Sequence, residues 1–74
     1  MNQEEYYRKY RNKICIMYLD NEERRIKWFS SLSKAQDFQE SGQVILSMIN
    51  LKHAQDEQNI KDFLDALLYE GFNL

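Results

Sequence analysis

The spacing of apolar residues changes from two to three or four between Ile26 and Gly42 (IKWFSSLSKAQDFQESG), which predicts a strand running straight into a capped helix. On the strand, Arg25 to Ser30, Ile26 and Trp28 share one face and Arg25, Lys27 and Phe29 the other, so the second face is half wet and basic. Ser33 with Gln36 three residues on has the pattern of a capping box, Ala35 and Phe38 point from the helix toward the sheet, and Gly42 supplies the stop. The run before it, Ile14 to Leu19 (ICIMYL), is apolar on both alternate faces: Ile14, Ile16 and Tyr18 on one, Cys15, Met17 and Leu19 on the other. Such a strand needs cover on both sides and is predicted to lie at the centre of a small sheet. Asp20 to Arg24 (DNEER) between the two strands is a polar break short enough for a hairpin loop.

Past Gly42, the run Gln43 to Leu51 (QVILSMINL) supports two readings. Val44, Leu46 and Met48 alternate against Ile45, Ser47, Ile49 and Leu51 as in a strand, and the same residues would also line a buried helix. Its length and the preceding glycine favour a third strand. After a polar connector, Lys52 to Asp56, the residues Ile60, Phe63, Leu64, Leu67 and Leu68 form a helical stripe, capped by Asp56 or Asn59 and closed by Gly71 and Phe72 in the Schellman pattern. At the opposite end, Asn2 with Glu5 starts a capping box and Tyr6, Tyr7 and Tyr10 follow at helical spacing, so residues 1–13 read as an N-terminal helix or arm. The order is (α)ββαβα: an α+β fold with a three-stranded sheet, a hairpin plus a third strand, and two packed helices. Residues 1–74 form one domain, because a chain this short buries only about 60% of its unfolded surface and has none to spare for a second core.

Composition refines that picture without changing it. Proline is absent and glycine occurs twice, so regular structure is expected over most of the chain; 43% hydrophobic residues argue against disorder. Cys15 has no partner for an intramolecular disulfide and lies in an apolar run, the setting of a small buried hydrophobe in a reducing compartment. No run approaches a membrane span and the first residues have no apolar leader region, so a cytoplasmic location is expected. The net charge of −2 hides an imbalance: residues 1–34 carry eight Lys/Arg against five Asp/Glu, and residues 35–74 carry two against seven.

Catalytic chemistry finds little to stand on. One His and one Cys, His53 and Cys15, are too far apart in sequence and lack companions at ligand spacing, so no metal site is expected. Two isolated glycines build neither a phosphate-binding loop nor a dinucleotide fingerprint, and no cofactor is expected. The carboxylates Asp62 and Asp65 belong to the solvated face of the last helix. An enzyme is therefore not expected, and two binding readings remain. In the first, the chain is a protein-interaction module, a small regulator or adaptor that occupies a partner's surface or pairs with itself as a homodimer, with Tyr6, Tyr7, Arg8, Tyr10 and Arg11 as contacts because Tyr and Arg are enriched at interface hot spots. A free sheet edge adds to that reading. In the second, Tyr18, Trp28 and Phe29 form a stacking platform with Arg24, Arg25 and Lys27 beside it, as single-stranded nucleic acid requires. The sequence pI near 5.3 weighs against the second reading.

Overall fold

A computed structural model describes residues 2–54 and 56–74; Gln55, in the predicted connector, lies outside the described residues. Helix α1 (Gln3–Tyr10) is followed by strands β1 (Ile14–Asp20) and β2 (Glu23–Phe29), helix α2 (Leu32–Gln39), strand β3 (Val44–Asn50), a single 3-10 turn (Leu51–His53) and helix α3 (Glu57–Tyr69). The strands form one antiparallel sheet in the order β2-β1-β3, with β1 central as its two apolar faces demand. The fold is α+β, and the N-terminal segment is a full third helix rather than an arm. No described helix is long and apolar enough to cross a membrane.

Each face of β1 has its own core. On one, Ile14 and Ile16 pack with Ala35 of α2, joined by Tyr18, Phe29, Phe38 and Ile45. On the other, Tyr10 of α1, Leu51 after β3, and Ile60 and Leu64 of α3 form a second cluster that gathers Tyr6, Tyr7, Trp28, Phe63 and Leu74. The clusters form on opposite sides because β1 side chains alternate. Cys15 and Leu67 are buried as well.

The helix ends follow local hydrogen-bonding needs. Asn2 accepts from the Glu5 amide through Oδ1 at 3.0 Å. Asp56 caps α3, accepting from Gln58 N at 2.9 Å and Asn59 N at 3.4 Å, which resolves the choice between Asp56 and Asn59. At its far end Phe72 N donates to Leu67 O and Gly71 N to Leu68 O, both at 3.0 Å, with Gly71 at φ 93°: the two bonds of a Schellman motif. The predicted cap of α2 needs correction. Ser31, not Ser33, accepts from the amide three residues on, Lys34 N at 3.3 Å, so α2 starts two residues early and ends at Gln39. Ser31 comes two residues after the end of β2, and its extended backbone (φ −128°, ψ 146°) is what a cap needs.

Two further departures concern the strands. The hairpin turn is shorter than the predicted Asp20–Arg24 break: only Asn21 (φ 51°) and Glu22 (φ 67°) lie between the strands, both left-handed, as in the two-residue turns whose twist matches antiparallel strands. In β3 the strict alternation fails. The register steps from Met17↔Ser47 to Tyr18↔Ile45, leaving Leu46 as an extra, bulged residue. Ile45 therefore joins the cluster under α2 and Val44 stands opposite Leu19, whereas alternation alone puts Val44 with Leu46 and Met48.

Candidate interaction surface

The residues proposed from sequence as contacts on α1 divide by depth. Tyr10 is 4% exposed and stacks on Trp28, ring centroids 4.2 Å apart. Tyr6 and Tyr7 are half-buried against the same cluster. Arg8 and Arg11 stay exposed, the Arg11 guanidinium 5.9 Å from the centre of the Tyr7 ring. Polar groups also fasten α1 to α3: Gln3 Nε2 donates to Asp65 Oδ2 at 2.7 Å, and Lys61 Nζ is ion-paired with Glu4 and lies over the Tyr7 ring. The Lys61 hydrogen bond holds the Glu4 carboxyl below the usual carboxylate range, and the same bond raises the Lys61 ammonium above its ordinary value. Both effects follow from favouring the charged forms of an opposite pair.

The stacking platform proposed for nucleic acid is not assembled. Trp28 pairs with Cys15 and faces α1, while Phe29 and Tyr18 lie on the opposite face beneath Phe38, with ring centroids 5.4 and 5.0 Å from it. The basic residues beside them are engaged: Arg24 with Glu70 at 3.7 Å, Arg25 with Asp20 at 3.0 Å and Glu23 at 3.1 Å, and Lys27 over the Phe29 and Phe38 rings. Tyr18, Arg24, Arg25, Ile26 and residues Gly71–Asn73 line an open depression of about 320 Å³, whose two guanidinium groups already have carboxylate partners. His53 is exposed in the 3-10 turn, and no cluster of His, Cys, Asp or Glu suited to a metal occurs among the described residues.

The surface that sequence reasoning mentioned only in general terms is the outer edge of β3. α2 packs on β1 and β2, α1 packs on α3, and the main contacts of β3 are with β1 alone. Val44 (58% exposed), Leu46 (45%), Met48 (37%) and Ile49 (39%) are consequently open to solvent on a strand with no charged residue between Ser41 and Leu51. The β2 edge is built differently. Glu23, Arg24, Arg25 and Lys27 are exposed along it, the kind of charge that discourages pairing with another strand. The signal for β3 was present in sequence as an uncharged run; what hid it was the location of the helices, which no local pattern fixes.

Comparison with protein-family models, with curated proteins and with solved structures finds no match for this chain.

Proposed function

We propose that this chain is a protein-interaction module without catalytic activity, and that it binds by pairing the β3 edge with another polypeptide. The observation that carries the reading is the contrast between the two edges: β2 is charged along its length, and β3 exposes four large apolar side chains with no charge among them. Unpaired N–H and C=O groups along such an edge give affinity by strand addition, and flanking apolar side chains give specificity. The tyrosines of α1 do not enter this reading as contacts, since they are committed to the core and to Lys61. A cytoplasmic setting fits the unpaired thiol of Cys15 inside the sheet. Nucleic-acid binding has lost the stacking platform that motivated it.

The test is photo-crosslinking in the host cell from a benzophenone side chain placed at Leu46 on β3 or, as control, at Lys27 on β2. Adducts from position 46 that are absent from position 27 support the reading. Equal labelling from both positions, or none from position 46, refutes it.

A further inference from the structure

Resting on that reading, we infer that the partner of the β3 edge is a second copy of the same chain, joined across a two-fold axis at Met48 into one continuous six-stranded sheet. The register follows from the hydrogen-bond alternation of antiparallel strands. Leu51 N donates to Lys13 O at 3.0 Å, one pair beyond Ile14↔Asn50 in the β1–β3 ladder. Bonded pairs in such a ladder alternate, so the peptide groups of Ile49 and Ser47 turn inward to β1 and those of Met48 and Asn50 turn outward. A two-fold axis at Met48 sets Met48 against Met48, apolar on apolar, whereas an axis at Ile49 would set Met48 against the side-chain amide of Asn50. Residues 47–50 lie on the regular side of the bulge, so their faces stay in phase.

That register is also chemically self-consistent. Across the joined sheet one row reads Lys27, Ile16, Met48, then Met48, Ile16 and Lys27 of the other copy, apolar at the seam and charged at the two outer rims. The next row, on the other face, reads Trp28, Cys15, Ile49, then Ser47, Met17 and Ile26 of the other copy, with no charge at any position. The alternative of β3 on the β2 edge of the next copy sets apolar residues against Glu23, Arg24, Arg25 and Lys27 and generates an open chain of molecules instead of a closed pair. Like surfaces meeting through an isologous contact avoid both. The helices make their main contacts with β1, β2 and each other rather than with β3. A seven-residue edge is a small interface, so a dissociation constant in the micromolar range is expected.

The experiment is sedimentation equilibrium on the purified chain, on Met48→Glu and Met48→Lys separately, and on an equimolar mixture of the two. Wild type is expected to be dimeric well above micromolar concentration. Each variant alone places like charges together at the axis and should raise the dissociation constant of the dimer more than about 100-fold. Mixing them should restore the dimer, a result that depends on Met48 meeting Met48. The side chain is 37% exposed, and far-ultraviolet circular dichroism checks that both variants fold; Leu46→Lys, at 45% exposure, is the second edge variant and should also be monomeric. A monomeric wild type at high concentration overturns the inference, as does dimerisation that survives the separate variants. If the wild type is monomeric yet position 46 crosslinks another protein in cells, the second copy is ruled out and the interaction reading stands; if position 46 crosslinks nothing, both fall.

Discussion

The rings of Tyr10 and Trp28 stack 4.2 Å apart at an interplanar angle of 28°, joining the last residue of α1 to the sheet face opposite α2. This contact makes the N-terminal helix part of the core. Trp28 Nε1 is buried with no hydrogen-bond partner among the described residues, so the indole is held by stacking and apolar contact. Tyr10→Ala is expected to destabilise the fold by about 3–5 kcal/mol, the range for truncating a buried aromatic. Chemical denaturation followed by Trp28 emission reads this directly, since Trp28 is the single tryptophan. A loss below about 1 kcal/mol would mean that α1 is peripheral.

Glu22 carries a side chain at φ 67°, in a turn position that glycine occupies without strain. Glu22→Gly should therefore stabilise the hairpin by roughly 0.5–1 kcal/mol, against the added freedom of glycine in the unfolded chain. For a domain of this size that is a rise of a few degrees in Tm, measurable by calorimetry. An unchanged or lowered Tm would show that the Glu22 side chain contributes more than its backbone costs.

Much of this architecture could be read from the sequence where pattern and burial coincide. The two apolar faces of Ile14–Leu19 required a central strand, and β1 is central. Phe72 and Gly71 closed α3 as expected because a Schellman motif is specified by one glycine and its neighbours. The errors came where neighbouring residues compete for one role. Ser31 and Ser33 are both competent caps, and only the end of β2 selects the first. The bulge at Leu46 depends on the pairing of Ile45 with Tyr18, a contact distant in sequence. The stacking platform failed for a simpler reason: Trp28 and Phe29 are adjacent in the strand and so point to opposite faces.

Burial pushes the Cys15 thiol up to about 12 from an ordinary value of 9.0. At mildly alkaline pH the thiolate fraction should thus be about 1000-fold below that of a free cysteine, before access is considered. Alkylation at pH 8 is expected only through unfolding, with a rate that rises in step with denaturant. The linkage also has a sign: the folded state keeps its proton while the unfolded thiol loses it above about pH 9, so this contribution to stability is complete below that pH and declines up to about 12. Rapid labelling of the native protein would refute the burial of Cys15.

Glu4 and Lys61 bind α1 to α3 through opposite charges with opposite shifts. The lowered Glu4 carboxyl stabilises the fold above its ordinary value of 4.5 and loses that contribution as the pH falls through its depressed folded value. The raised Lys61 ammonium stabilises the fold below 10.5 and loses its contribution as the pH rises through its elevated value. Glu4→Gln should accordingly lower Tm at neutral pH, with a difference from wild type that vanishes in strong acid and shrinks with added salt. A difference independent of pH would assign the role of Glu4 to something other than its charge.

The most direct measurement of the account as a whole is amide hydrogen exchange along β3, followed residue by residue at low and high protein concentration. Ser47 and Ile49, bonded inward to β1, should be protected at both concentrations. Met48, with its N–H group on the open edge, should exchange freely in dilute solution and become protected as the concentration rises through the micromolar range. Protection of Met48 that never changes with concentration, or that changes equally along β2, would contradict a β3-to-β3 contact.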